Sequence, residues 1–366
     1  MRLVSLRLEN VGPFEGTTIR FGDADASDES EAAPAPRPVT ILFGADGIGK
    51  TTLLASLAVT RPGYAIPPPP TPAIRAARAA GSAGIDAAPF VKTEWLLGDD
   101  DPERPHPLVV TSPNAILPNE TPDTALPRRR EQALFERRAQ SEGGFVFVGF
   151  SGARWFSRNT NMLTTPERSL LKYDVRHPAS FDDPTRADLT RETKQVLSYA
   201  AIARALGEGR AEHAHLARFD AALREVVDVM LEPFGYRYEG TSPLTLEPEA
   251  RALGTGGRIV VFDALPRPAR HLVAFGALSL RALFAAYPSA DDPREREGVI
   301  AIDDIESQQD PAMLRAIVPL LRKALPNAQW ILTTASTQLA LSCTQGEVVA
   351  LRKNEQAIEV NEGVLH

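Results

Sequence analysis

The sequence predicts an α/β fold with an antiparallel N-terminal β subdomain and a short helical insert, and three observations carry that prediction. Val39-Thr40-Ile41-Leu42-Phe43, a run suited to a strand buried on both faces, leads directly into Gly44-Ala45-Asp46-Gly47-Ile48-Gly49-Lys50-Thr51 and then into the helical Leu53-Leu54-Ala55-Ser56-Leu57-Ala58. A second buried-strand run, Val299-Ile300-Ala301-Ile302, ends on two carboxylates, Asp303 and Asp304. From Arg2 to Phe21 apolar and polar residues largely alternate around Val11-Gly12-Pro13, the pattern of a β-hairpin.

The glycine loop matches G-x-x-x-x-G-K-[ST] in full and lies in the strand, loop, helix context that gives the motif its meaning. Glycines let successive backbone N–H groups curl around phosphate oxygens, while the helix N-terminus adds unpaired donors and the positive end of a dipole. Gly44, Asp46, Gly47, Ile48, Gly49, Lys50, Thr51 and Thr52 are therefore the candidate nucleotide-binding residues, with ATP and Mg²⁺ as the expected ligands. Lys50 would reach the β/γ-phosphates and Thr51 would ligate Mg²⁺. Such a metal is also held by a carboxylate at the end of a buried strand, which makes Asp303 the second candidate metal ligand. Asp304 stands where a water-activating base would sit, and Glu306 is the alternative if that carboxylate is too short. From Lys50 to Asp303 is 253 residues, a separation that disfavours a small nucleoside kinase.

The remaining elements follow along the chain. Gly22 to Pro38 is acidic and rich in Ala and Pro, as expected of an exposed loop. Between Arg61 and Pro127 lie 14 of the 31 prolines, so residues 61–144 read as an insertion, with edge strands at Phe90 to Leu97 and Leu108 to Thr111 and a short helix at Arg75 to Ala80. Regular structure is expected again at Phe145 to Phe150. Helices follow at Asp188 to Leu206 and Glu212 to Leu231, split by Gly207-Glu208-Gly209. The last third carries strands at Arg258 to Phe262, Val299 to Ile302, Trp330 to Thr333 and Glu347 to Leu351, with helices at Leu272 to Phe284 and Pro311 to Ala324. The expected division is an N-terminal lobe over 1–180, a helical insert over 181–240 and a C-terminal lobe over 241–366.

Composition narrows the function classes. The 366 residues are 43% hydrophobic and carry a net charge of −7, which excludes a wholly basic protein that coats nucleic acid by charge alone. A local patch would be needed, and Arg128 to Arg130 with Arg137 and Arg138 is the one in view, read as a solvated helix face. A single cysteine, Cys343, read as buried and inert, fits a reducing cytoplasm, and neither a signal peptide nor a membrane span is expected. His213 and His215 are given no role, and Trp155 and Phe156 read as core.

At this point the chain resembles the ATP-binding-cassette ATPases of the SMC and RecF branch, including the OLD-like AAA ATPases of bacterial defence systems. Leu6-Arg7-Leu8-Glu9-Asn10-Val11-Gly12-Pro13-Phe14 is similar to that branch's first hairpin, Val148 to Arg154 to its "Y-G-x-x-R" segment, Ser180-Phe181-Asp182 to its entry into the helical insert, and Ile302-Asp303-Asp304-Ile305-Glu306 to "I-D-E-I-E". The resemblance implies a P-loop NTPase of the ABC head type. In that family two heads sandwich two ATP molecules, and the "L-S-x-G" signature of one head caps the γ-phosphate of the other.

Three departures matter. The signature segment is Leu265-Pro266-Arg267-Pro268-Ala269-Arg270, with proline at the serine and glycine positions, so capping would fall to Arg267 or Arg270. The "T-T-H-S" switch is Thr333-Thr334-Ala335-Ser336, without its histidine, and Asp304 replaces glutamate. Hydrolysis is expected to be slow, since a misplacement of about 1 Å can cost about a hundredfold in rate. The 31 residues after Ala335 read as a strand pair, with no Toprim nuclease domain expected, and the insert is too short for an SMC coiled coil. The resemblance implies a nucleotide-dependent switch acting with a second copy or a partner effector, in an antiviral setting. A nucleotide-holding scaffold that does not turn over is the alternative of another class, and a RecF-like DNA-binding ATPase is the third.

Overall fold

The computed structural model describes residues 1–22, 36–62, 64–65, 89–97, 108–113, 117, 120–142, 144–157, 187–210, 214–242, 250–354 and 358–362. In chain order the strands are β1 (Arg2–Val11), β2 (Phe14–Arg20), β3 (Val39–Phe43), β4 (Thr60–Arg61), β5 (Tyr64–Ala65), β6 (Phe90–Leu96), β7 (Leu108–Thr111), β8 (Phe147–Phe150), β9 (Tyr236–Thr241), β10 (Ala250–Gly254), β11 (Ile259–Val261), β12 (Gly298–Ile302), β13 (Ala328–Thr334), β14 (Val348–Lys353) and β15 (Ile358–Glu362). The helices are α1 (Lys50–Val59), α2 (Pro122–Glu142), α3 (Thr190–Gly207), α4 (Ala214–Leu231), α5 (Arg267–Ala286), α6 (Leu314–Ala324) and α7 (Thr337–Ala340).

The central sheet has the order β15-β14-β3-β13-β12-β8. Every pairing in it is parallel except β14 with β15. Because both faces are covered, its strands are nearly continuous apolar runs whose alternate residues enter two different cores. On β12, Ile300 and Ile302 face one core, while Val299 and Ala301 face the other. The first core is closed by α3, α4, α5 and α6. The second is closed by α1 and an antiparallel sheet of order β2-β1-β6-β7. This is a mixed α/β architecture with a mainly parallel central sheet. A smaller sheet, β11-β10-β9, flanks the helical layer.

Helix α5 lies at the centre of that layer, buried on every side from His271 to Ala286. It is the one described helix long and apolar enough to cross a membrane, yet 94% of its apolar window is buried inside the fold, as in a core helix.

Several expectations need correction. Phe90–Leu96 is an inner strand, paired to β1 and β7, and not an edge. Residues 61–144 contain a 21-residue helix, α2, despite Pro127. It is tied down by Gln132, whose side chain donates to and accepts from the backbone of Thr111. Arg128 is no solvated charge: it pairs with Glu120 and donates to Thr111 Oγ1 at 2.6 Å. Helix α5 begins at Arg267, five residues earlier than expected, because Pro266 at the cap and Pro268 in the first turn stand where no intrahelical N–H bond is lost. The candidate helix at Arg75 to Ala80 and the Ser180-Phe181-Asp182 segment lie outside the described residues.

Candidate functional site

The parallel strands deliver their C-terminal ends to one place. Gly44 N donates to Thr334 O (3.1 Å), Asp303 N to Phe150 O (2.9 Å) and Ile305 N to Thr333 O (3.0 Å), so the loops after β3, β13, β12 and β8 are stitched edge to edge. Open α/β sheets place ligands at this end of their strands.

The glycine loop turns from β3 into α1 through Gly47 (φ 77°) and Gly49 (φ 103°), both left-handed. Gly49 admits no side chain for a second reason: a Cβ there would lie 2.5 Å from Pro13 Cγ and 2.9 Å from the Phe14 ring. The turn of the N-terminal hairpin thus packs directly beneath the loop. Ile48 sends its side chain into the apolar core below, whereas Asp46 and Gly47 are exposed. Lys50 is buried, and its Nζ donates to Gly44 O (2.6 Å) and Ala45 O (2.9 Å), with Asp46 Oδ1 at 3.7 Å. Its ammonium therefore sits in the hollow of the loop. Thr52 lies on the first turn of α1, where its carbonyl accepts from Ser56 Oγ.

Across the site Thr51 Oγ1 donates to Asp303 Oδ2 at 2.7 Å. The other carboxylate oxygen of Asp303 accepts from Thr333 Oγ1 at 2.7 Å, and the same hydroxyl accepts from Asp304 N. Hydroxyl and carboxylate oxygens are hard donors of the kind Mg²⁺ selects, and two of them are already in contact, so this donor set fits the ion. The lysine in a ring of backbone dipoles fits a polyphosphate in the same way.

Asp304 and Glu306 are placed less simply. Asp304 is in the left-handed region (φ 48°). Its carboxyl is pushed up to about 6, by burial first and then by the neighbouring Glu306 carboxylate. Glu306 Oε1 accepts the backbone N–H of Ala335 at 2.5 Å, bridging the strand-end loop to the segment after β13. Gly152 makes room for these acids, since a Cβ there would lie 3.0 Å from Asp304 Cβ and 3.2 Å from Asp303 Oδ2.

One residue that sequence reasoning passed over organises this corner. Arg154, 1% exposed, donates to the carbonyls of Ser151 (3.0 Å), Asp303 (2.6 Å), Asp304 (2.9 Å), Ile305 (3.3 Å) and Ser307 (3.0 Å). Its guanidinium also lies over the Phe275 ring of α5 at 5.0 Å. Burial pulls its pKa down to about 10, against the pull of Asp304, Asp303 and Glu306, so it remains a cation at neutral pH. The signal available in the sequence was its place in the "Y-G-x-x-R" segment.

Next to it, Trp155 is not core: it is 47% exposed. Arg267 and Arg270 lie on the same side of the molecule, at the start of α5, and Arg267 donates to Gln308 Oε1 at 2.9 Å. Cys343 is half-buried, which raises its thiol pKa, and its Sγ donates to Leu339 O.

No protein-family model and no curated protein matches the chain. Among solved structures it is similar to an Smc head bound to the C-winged helix domain of ScpA, at 12% identity and TM-score 0.49 over 98% of this chain and 97% of that one. It is also similar to the SMC head domain from Thermotoga maritima, at 13% identity and TM-score 0.45 over 99% of each chain. A third similar structure is an Smc head with an extended coiled coil bound to the C-terminal domain of ScpA, from Pyrococcus furiosus. That match has 14% identity and a TM-score of 0.47, over 98% of this chain and 95% of that one.

Proposed function

We propose that this chain binds ATP with Mg²⁺ at the glycine loop and acts as a nucleotide-dependent switch that turns over slowly. The observation that carries the reading is the 2.7 Å contact of Thr51 with Asp303, which brings together two motifs 252 residues apart. In this reading Lys50 meets the β/γ-phosphates, the backbone of Gly44 to Thr52 cradles them, and Thr51 with Asp303 holds the metal. When bound, Mg²⁺ neutralises charge between the terminal phosphates. Asp304 is the base nearest the site, with its proton held more tightly than an ordinary carboxylate's, and Glu306 is a positioning residue for the switch segment. Slow turnover is supported by this division: the acid with the longer reach is spent on Ala335 N.

The same contact favours one alternative, a scaffold that holds ATP without turning it over, because a switch segment latched by Glu306 has only a methyl group at Ala335, with no donor to sense a γ-phosphate. The DNA-binding alternative loses one of its five arginines, Arg128, to Glu120. By resemblance alone, the output is passed to a second copy or to a partner effector of a bacterial conflict system.

The test is calorimetric. Lys50→Ala is expected to weaken ATP binding at least tenfold, about 1.4 kcal/mol. Equal affinities for the two proteins would overturn the assignment.

A further inference from the structure

The small sheet β11-β10-β9 turns one face to the core and the other outward. Ala250, Ala252 and Tyr238 go inward, each buried, and Val260 packs against the same cluster. Side chains alternate along a strand, so the cross-strand pairs Leu253 with Ile259 and Arg251 with Val261 lie on the outward face. Leu253 is 39% and Ile259 50% exposed. Val261 continues the row, since it also lines a cleft of about 550 Å³ in which Trp155, 47% exposed, forms a wall. Six large hydrophobic side chains are exposed among the described residues, and three of them belong to this one row. Apolar residues scattered singly over a surface need no explanation, whereas a contiguous row marks an interaction surface.

The row runs along an open strand edge. β11 ends its sheet, and no described strand pairs with its far side. Gly254 N donates to Arg258 O at 2.9 Å, so alternation turns the N–H and C=O of Arg258 and Val260 toward β10 and those of Ile259 and Val261 away from it. Proteins commonly blunt such an edge with lysine, proline or a bulge. Ile259-Val260-Val261 has none of these and is β-branched throughout, which suits it to pairing.

Charge decides what fits there. The sheet and its turn carry Arg237, Arg251 and Arg258 against one acid, Glu239. None of the three arginines makes an ion pair among the described residues. In a chain with a net charge of −7 this is a local positive face. A second copy docked isologously would set these arginines against one another. A nucleic-acid strand would meet the arginines but leave the aliphatic row uncovered, because Leu253, Ile259 and Val261 offer no ring on which a base can stack. A polypeptide that is both acidic and apolar satisfies the two demands together.

We propose that β11 is a docking edge for an extended segment of an acidic partner protein. The segment adds to the sheet as a strand. Its backbone pairs with Ile259 and Val261, its apolar side chains cover the row from Leu253 to Trp155, and its carboxylates meet Arg258, beside the edge, and Arg251, one strand further in. The glycine-loop residues take no part in this surface, so the inference does not rest on the ATP-binding reading.

The test uses the whole chain and a synthetic peptide of alternating valine and glutamate. Of the three tryptophans, Trp95 and Trp330 are 0% exposed, so a shift in indole emission reports on Trp155. The peptide is expected to shift that emission saturably and to slow hydrogen exchange at the Ile259 and Val261 amides. Val261→Pro is the decisive variant: its φ of −71° is within proline's range and the N–H it loses faces away from β10, so the ladder is kept and only the edge is blocked. It should weaken the peptide at least tenfold. Arg258→Glu, a change at an exposed turn, should weaken the valine–glutamate peptide to a similar degree and improve binding of a valine–lysine one. No binding at millimolar peptide overturns the proposal, as does binding that neither variant alters. Equal affinity for the two peptides removes the acidic partner. An oligonucleotide that binds in preference, with Arg258→Glu abolishing it and Val261→Pro without effect, transfers the face to nucleic acid. A doubled mass by light scattering that Val261→Pro returns to a single chain assigns the edge to a second copy, and either outcome sinks the inference.

Discussion

Arg154→Met is the perturbation that most directly probes how the strand-end loop is held. Methionine keeps the stem and an apolar contact to Phe275, so what is lost is polar: donors to five carbonyls, three of them on consecutive residues, Asp303, Asp304 and Ile305. A hydrogen bond from a charged donor contributes about 1.5–3 kcal/mol, but these bonds share one guanidinium and do not add. The bound comes instead from breaking a buried charged network by removing one member, about 3–5 kcal/mol. That is a large share of a domain's total of about 5–15 kcal/mol. Urea unfolding of the two proteins should show the loss as a lower midpoint with an unchanged slope. Arg154→Lys should not restore it, because an ammonium cannot reach carbonyls spread around a planar fork. If Arg154→Met unfolds within about 1 kcal/mol of wild type, below the range expected for a buried charge network, the loop is held by other contacts and the reasoning fails.

Asp303→Ala should abolish most of the Mg²⁺ dependence of ATP affinity, whereas Asp304→Asn should leave binding intact and lower turnover; wild-type hydrolysis in both Asp304→Asn and Glu306→Gln would mean that neither acid acts on the attacking water. Gly49→Ala should lose about 2–4 kcal/mol, from a left-handed backbone and a Cβ driven into Pro13, read as a fall in melting temperature. His271 gives a pH signature. Burial depresses its pKa to about 4 from 6.5, so the unfolded chain takes up a proton first, and stability present above pH 6.5 is lost as pH falls toward 4. His271→Gln should flatten the unfolding midpoint between pH 7 and pH 4.5, and parallel pH profiles for the two proteins would contradict the assignment.

What was legible in the sequence was whatever is local. The glycine loop, its flanking strand and helix, and the acids after β12 are contiguous patterns, and the turn chemistry at Gly12-Pro13 marked the hairpin. The contacts of Thr333 with Asp303 and of Glu306 with Ala335 depend on β13 lying between β3 and β12, a pairing no local pattern encodes. Helix α2 was obscured by Pro127 because its anchors, Thr111 and Glu120, lie outside the helix. Strands β9 and β10 carry only short, mixed segments and passed unnoticed, although the glycines at 254, 256 and 257 mark the turn that joins β10 to β11. Trp155 was read as core because a tryptophan after a buried strand usually is. Its exposure depends on what the chain places opposite it.

The order of the central sheet also bears on how the protein is made. Strand β3, which carries the glycine loop, has β13 and β14 as its two neighbours. The nearer of these begins 285 residues after β3 ends. At a synthesis rate of about 5–20 residues per second, the run Val39–Phe43 waits roughly 15–60 seconds for a partner, with both of its hydrogen-bonding edges open. Pairing across such a distance in the chain is slow even once synthesis is complete. The apolar strand on which the loop is mounted is therefore the segment most exposed to wrong pairing in the nascent chain, and ligand affinity can appear only after the C-terminal third has closed over it.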